Sequence, residues 1–297
     1  VGAAVLYVVI PALNEAPNLE HLFADLNRVR QTLSDRFTVR VVLVDDGSTD
    51  GTGERAYSLA DGLDVTVARH ASPQGPGRAF GTGFTAIAPV LEDDDYVLTL
   101  EADNTSRLDL LELMMHRSRE GHDAIFASPY TYGGGIVGTT RWRILLSHIA
   151  NSFVKSLLDI RGIHTVSSFY RLYQGRAIRR LQRRYGAGIV ECSGFDCMVE
   201  LALKTIYLQM TISEVPMVLD ASLRIGRSKM RVVRTGFRYL RLFVSKRRWR
   251  RHANVPAVMW INSAIELNAE SPRLVPSVES ATSGTRPDEG LALGRRR

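Results

Sequence analysis

The sequence predicts an α/β fold, a mainly parallel sheet flanked by helices on both faces. Two observations carry this. Apolar runs of strand length recur up to about Tyr130, and segments of helical period separate them. Strands joined through intervening helices pair in parallel, because a hairpin cannot make that connection.

The elements follow in order. Val5 to Ile10 reads as a buried strand, and after Pro17 the residues Leu19, Leu22, Phe23, Leu26, Val29 and Leu33 repeat with a 3.6-residue period. Val39 to Val44 is a second strand that runs into the turn Asp45 to Thr52. Further strands are expected at Asp64 to Ala68, Tyr96 to Leu100 and Asp123 to Ala127, with helices near Gly77 to Leu91 and Arg107 to Arg119. Beyond Tyr130, Gly133 to Gly135 is a flexible loop, and Trp142, Leu145, Leu146, Ile149, Phe153 and Leu157 form one face of a helix. Phe195 to Leu208 is expected to be helical and Thr211 to Leu219 extended.

Composition sets the outer limits. The 297 residues are 45% apolar and 23% charged, enough for one main domain with attachments. The net charge of +7 is concentrated: Arg224 to His252 holds twelve Lys or Arg and no acid, while the remainder carries 26 cationic against 31 acidic side chains. Such a segment faces something anionic. We expect three regions: a main domain at 1–222, a basic amphipathic segment at 223–252, and a mostly disordered tail at 253–297, which from about Asn262 is rich in Ser, Glu, Pro, Gly and Arg and has no aromatic. Cys192 and Cys197 are the sole cysteines, so neither a disulfide framework nor a structural zinc site is expected, and a reducing, cytoplasmic setting fits. The apolar opening Val1 to Leu13 lacks the basic flank of a signal peptide, and no apolar run reaches the ~18 residues of a spanning helix, so any membrane contact is expected to be peripheral.

Polar residues collect where each strand ends. Pro11, Ala12, Asn14 and Glu15 follow the first, Asp45, Asp46 and Ser48 the second, and Glu101 and Asp103 the strand ending at Leu100. In an open parallel sheet these ends are where ligands bind. A nucleotide-sugar needs acceptors for its base and ribose hydroxyls, and carboxylates to hold the divalent ion that neutralises its diphosphate. Each motif alone could also be a turn, a helix cap or a solvated strand end. Gly75, Gly77, Gly81 and Gly83, with Arg78 among them, are not a dinucleotide fingerprint, because that should follow the first strand. They point either to close helix packing or to backbone approach to a donor phosphate.

These motifs resemble, in order, those of family-2 glycosyltransferases: Val9 to Glu15, Val44 to Thr52, Gly75 to Ala79 and Glu101 to Asn104. Arg224-Ile-Gly-Arg-Ser-Lys229, following Glu214-Val-Pro216, is similar to polyprenyl-phosphate sugar synthases of the dolichol-phosphate mannose synthase type. The resemblance spans about residues 5 to 245. It implies a GT-A nucleotide-sugar-binding fold, inverting transfer, and Mg²⁺ or Mn²⁺ at Glu101 and Asp103. It further implies a donor bordered by Pro11, Ala12, Glu15, Asp45, Asp46, Ser48, Gly77, Arg78 and Ala102, and an acceptor phosphate near Arg224, Ser228 and Lys229. Four positions depart from the family pattern. Leu13 replaces an aromatic, Glu101-x-Asp103 replaces Asp-x-Asp, Ser128-Pro129-Tyr130 replaces Ser-Arg-Tyr, and His164 to Phe169 replaces Asp-x-Thr-Ser-Gly-Phe.

Two acceptor classes remain open. A polyprenyl phosphate is already an anion and needs no general base, so orientation, metal and cations suffice. A hydroxyl of a saccharide, lipid or natural product must lose its proton as it attacks, which calls for a carboxylate. Asp196 is the candidate, with Glu191 second; the plain alternative for Asp196 is an acid favoured by a helix N-terminus. The donor expected from the resemblance is GDP-mannose, then UDP-glucose. Nucleic acid is not expected as a partner, since no RNA-binding signature is present and the carboxylate-lined strand ends would repel phosphates without a metal. His164 reads either as an acceptor contact or as a surface histidine, and the two cysteines as ordinary thiols. The helix expected between Met230 and Arg251 carries Val232, Val233, Phe237, Leu240, Phe243 and Val244 on one face, with Arg231, Arg234, Arg238 and Arg241 beside them. Lys246 to Arg251 adds five cations around Trp249 with no acid among them, which suggests contact with the anionic cytoplasmic face of a membrane.

Overall fold

In the computed structural model the first apolar run lies within β1 (Ala4–Ala12), and the 3.6-period segment forms α1 (Ala16–Leu33) with Pro17 in its first turn. Leu19, Leu22, Phe23 and Leu26 point one way along α1 and are buried. The chain then alternates through β2 (Phe37–Asp45), α2 (Thr52–Ser58), β3 (Asp64–Arg69), α3 (Pro76–Ile87) and β4 (Tyr96–Thr99). After a short 3₁₀ turn come α4 (Leu111–Arg119), β5 (Ala124–Ser128), β6 (Gly135–Val137), α5 (Arg141–Leu158), β7 (Arg171–Gln174) and α6 (Gly175–Tyr185). The described elements close with α7 (Cys197–Tyr207), β8 (Ile212–Pro216), β9 (Val218–Asp220) and α8 (Val232–His252).

The structure describes residues 3–225 and 232–252, and for 232–238, 240 and 241 the backbone alone. Ser228, Lys229, Arg231 and the tail expected at 253–297 lie outside the described residues, as do the side chains of Val232, Val233, Arg234, Phe237, Arg238, Leu240 and Arg241.

Seven strands form one sheet in the order β3-β2-β1-β4-β7-β5-β8, and β6 pairs with β9 in a second, two-stranded sheet. The fold is the mixed α/β arrangement the sequence predicts, mostly parallel with helices on both faces. The exception is β7, which inserts antiparallel between β4 and β5. Alternate residues of β1, Leu6, Val8 and Ile10, join α1 and α4 in one apolar layer. On the other face α3 comes so close to the sheet that a Cβ on Gly83 would collide with Val9. The described residues belong to one compact unit.

Two features of the later helices differ from what periodicity suggests. On α5 the apolar face exists but is largely uncovered, with Trp142 74% exposed and Leu145, Leu146, Ile149 and Phe153 also exposed. On α8 the aromatic expected at a lipid interface, Trp249, is instead 1% exposed. Its indole stacks over Lys204 and donates to Glu191, so this end of α8 is turned inward to cover a buried charge. Arg248 pairs with Glu191, which offsets one of the five cations from outside the segment.

Candidate active site

The carboxyl ends of β1, β2 and β4 meet on one edge of the sheet. Pro11 and Ala12 lie in register with Val44 and Asp45, and Val9 with Thr99. The two loops beyond are stitched together. Asn14, in the left-handed region at φ 50°, receives its turn from Ser48, whose Oγ accepts the Asn14 N–H at 2.8 Å. Asn14 Oδ1 accepts the Thr49 N–H at 2.8 Å, and Thr52 Oγ1 accepts from Glu15 N at 2.9 Å. Ser48 therefore serves the backbone of the first loop.

The adjacent aspartates do different things. Asp45 is fully buried, accepts the Ser48 N–H at 2.8 Å, and lies 3.5 Å from the Arg69 guanidinium. Asp46 builds a second loop: its carboxylate accepts Gln74 N–H at 2.9 Å and Gly75 N–H at 2.7 Å, and its Oδ1 is 2.6 Å from His70 Nδ1. His70 Nε2 reaches Thr82 on α3 at 2.9 Å. Sequence reasoning passed over His70, which stands alone after β3 with no motif around it.

The glycine cluster serves packing. Gly77 N–H donates to Ser193 O at 3.1 Å, and a Cβ on Gly75 or Gly77 would strike the Ser193 or Cys192 carbonyl. Of the two roles open for Gly77, its amide is taken by the protein's own backbone. Arg78, in the first turn of α3, is exposed.

Beyond β4, Ala102 is buried and Asp103 nearly so. Asp103 Oδ1 is fixed by Thr105, through Oγ1 at 2.7 Å and N–H at 3.1 Å. Its Oδ2 accepts from Arg224 Nε at 2.6 Å. Burial, then repulsion from Asp103, pushes the Glu101 carboxyl up to about 8 against the pull of Arg224. Two acidic side chains thus sit together at this strand end with the Arg224 guanidinium beside them. No cluster of three or more His, Cys, Asp or Glu side chains with metal-binding geometry occurs among the described residues. Two carboxylates fit an ion whose remaining ligands are diphosphate oxygens and water.

A third wall is the segment from Glu191 to Asp196. Glu200, buried on α7, accepts the N–H groups of Glu191 at 2.9 Å and Cys192 at 2.7 Å, and is paired with buried Lys204 at 2.5 Å. Glu191 itself is engaged by α8 through Trp249 and Arg248. Asp196 stands at the start of α7, buried, and does not cap the helix with its side chain. His164 is exposed in a loop whose amides, His164 N and Thr165 N, are held by Glu214 at 2.6 and 2.7 Å. Both cysteine thiols are pushed up by burial and then by Glu200, which keeps them protonated.

A sheet edge of this kind belongs to the GT-A glycosyltransferases, and comparison with solved structures agrees. Glucosyl-3-phosphoglycerate synthase from Mycobacterium tuberculosis, in complex with Mn²⁺, uridine diphosphate and glucosyl-3-phosphoglycerate, superposes with a TM-score of 0.55 at 17% identity, covering 86% of this chain and 82% of that one. The chain is a glycosyltransferase and belongs to glycosyl transferase family 2, whose model matches residues 7–182. Polyprenol monophosphomannose synthase of Mycolicibacterium smegmatis is 28% identical over 225 residues, 75% of this chain and 80% of the relative. Dolichol-phosphate mannosyltransferase of Pyrococcus furiosus is 29% identical over 246 residues, 82% of this chain but 63% of the relative's length.

Proposed function

We propose that the protein transfers a sugar, with inversion, from a nucleotide-sugar to a polyprenyl phosphate at a membrane surface. The observation that carries this reading is the meeting of Arg224 with Asp103. It puts a forked cation suited to a phosphate beside the carboxylates suited to a divalent ion. The names of the two relatives favour a mannosyl group and a polyprenyl or dolichyl phosphate, so GDP-mannose is the donor proposed, ahead of UDP-glucose.

In this reading Glu101 and Asp103 hold Mg²⁺ or Mn²⁺, which would neutralise the donor diphosphate. Pro11, Ala12, Glu15, Asp45 and Ala102 border the nucleotide. Asp46 and Ser48 shape the loops behind it. Arg78, exposed in the first turn of α3, faces the diphosphate side, while Gly77 serves the packing of that turn. The acceptor's phosphate oxygen attacks the anomeric carbon as the nucleoside diphosphate departs. Already ionised at neutral pH, that oxygen leaves no proton for the protein to remove. Arg224, with Ser228 and Lys229, orients it.

The membrane reading draws on the uncovered face of α5. Trp142, Leu145, Leu146, Ile149 and Phe153 are exposed together, and Arg141, Arg143 and Lys155 belong to the same helix. Beside it Lys246 of α8 donates to Leu157 O at 3.2 Å, and Phe243 and Val244 are exposed. Such a face can lie in the interface plane with its cations among lipid headgroups. No helix among the described residues is long and apolar enough to cross a membrane. The protein would then work peripherally, on the cytoplasmic face.

The test is a thermal-shift panel of GDP- and UDP-sugars with Mn²⁺, followed by turnover with a short polyprenyl phosphate. Stabilisation by GDP-mannose with Mn²⁺ and mannosyl transfer to the lipid phosphate are expected. Turnover with hydroxyl acceptors alone would replace this reading.

A further inference from the structure

We propose that Arg224 occupies, in the metal-free protein, the coordination position that the divalent ion takes at Asp103, so that metal binding and release of this arginine are one event. The inference rests on the metal reading above and concerns what this chain does before the ion arrives.

Three observations lead to it. Asp103 has one oxygen to offer, because Oδ1 is committed to Thr105. That remaining oxygen, Oδ2, is the one Arg224 engages, through Nε at 2.6 Å and through a second guanidinium nitrogen. An ion such as Mg²⁺ bonds a carboxylate oxygen at about 2.0–2.1 Å, closer than a hydrogen-bond donor, and a guanidinium on the same oxygen would face it as a like charge. The two cations are therefore alternatives at Oδ2.

The third observation explains why Arg224 stays available after it is displaced. Its neighbour Ile225 is clasped by buried Asn18, whose Oδ1 accepts Ile225 N–H at 3.1 Å and whose Nδ2 donates to Ile225 O at 3.2 Å. Asn18 is in turn fixed by Glu15, which accepts from Nδ2 at 2.5 Å, and by Asn104, which donates to its carbonyl at 3.0 Å. None of these bonds involves Asp103. The backbone can thus hold its place while the Arg224 side chain swings away. Before the metal arrives Arg224 is spent on Asp103; afterwards it is free for an acceptor phosphate. The device orders the reaction, with metal and donor first and acceptor second, and it keeps a cation at the site when the donor is absent.

Linkage makes this measurable, since a state in which Arg224 blocks Asp103 weakens apparent metal affinity by the fraction of molecules left open. Mn²⁺ binding is followed by electron paramagnetic resonance of the free ion, with and without GDP, in the wild type, Arg224→Gln and Arg224→Lys, each checked for folding by thermal melting. Arg224→Gln should bind Mn²⁺ at least about fivefold more tightly, the lower end of ordinary coupling between sites. Arg224→Lys keeps the charge and loses the forked contact, so a gain there distinguishes direct occupancy from a general field. A short prenyl phosphate should in turn bind the wild type more tightly once Mn²⁺ and GDP are present. Equal Mn²⁺ affinity in the wild type and both variants would overturn the proposal and leave the metal site standing. Absence of Mn²⁺ binding in all three folded proteins, even with GDP, would remove both.

Discussion

The indole of Trp249 donates a 3.0 Å hydrogen bond to Glu191 Oε1, joining the last turns of α8 to the segment that leads into Asp196. Trp249 also covers the buried Lys204–Glu200 pair, with Lys204 Nζ 4.9 Å from its ring and 4.8 Å from that of Tyr185. Glu200 in turn holds the amides of Glu191 and Cys192, and the Ser193 carbonyl next to them receives Gly77. The basic helix is thus bolted to the segment that packs against the first turn of α3.

Trp249→Ala should lower stability by about 3–5 kcal/mol, the usual cost of deleting a fully buried large aromatic. Trp249→Phe retains most of the packing and should lose less than half of that. Urea unfolding with a constant slope between variants measures both. Equal stability of the wild type and Trp249→Ala would mean that α8 does not pack on the domain in this way.

Asp103→Ala should reduce sugar transfer by more than about 100-fold, beyond the range seen when only an outer partner of a metal ligand is lost. Glu101→Ala should be milder, since its longer side chain suits an adjustable or outer role at the ion. Initial rates at limiting Mn²⁺, with melting temperatures alongside, provide the check. Near-normal turnover in Asp103→Ala would sink the metal assignment.

Asp196→Asn distinguishes the two acceptor classes. With a phosphate acceptor the variant should retain its rate within about tenfold, because loss of a true general base costs about 10²–10⁴-fold. Single-turnover transfer to a prenyl phosphate, with donor binding measured separately, reads this out. A collapse in rate with donor binding intact would hand the reaction to a hydroxyl acceptor.

Changing Trp142, Ile149 and Phe153 together to Gln should weaken binding to anionic vesicles by at least about tenfold, as burying each such side chain contributes about 1.5–3 kcal/mol. Co-sedimentation with phosphatidylglycerol vesicles and with neutral vesicles measures it. All three side chains are exposed, so folding should be unaffected. Unchanged binding would exclude α5 as the docking face.

Strands β1 and β2 were legible because each contains an apolar run long enough to be seen alone, Val5 to Ile10 and Val39 to Val44. The antiparallel β7 was not. Arg171-Leu-Tyr-Gln is four residues long and opens with a cation, and Arg171 is buried because it donates to the carbonyls of Ser168, Met198 and Val166. Helix α6 escaped for a related reason: few apolar residues, Ala177, Ile178 and Leu181, stand among many arginines. In the site, residue type and strand-end position pointed to Glu101, Asp103 and Asp46. The division of labour between Asp45 and Asp46 depended on partners such as His70 and Arg69, which no local pattern announces. Asn18 carries no signal in the sequence; its clasp on Ile225 joins positions 207 residues apart. Trp249 was misjudged because the buried pair it covers lies on another helix.

The position of β7 also bears on how the chain is made. Strands β1 to β4 are contiguous in the sheet and all translated before residue 100, so this half can assemble while the rest is still being synthesised. Strand β5 emerges next but has no neighbour in that half, because the place between it and β4 belongs to residues 171–174. Until those four residues emerge, β4 and β5 each present an open edge, and such edges invite pairing with other chains. Synthesis halted between α5 and β7 should therefore leave a half-sheet prone to aggregation, whereas arrest beyond β8 should release a sheet whose β4 and β5 edges are both paired with β7.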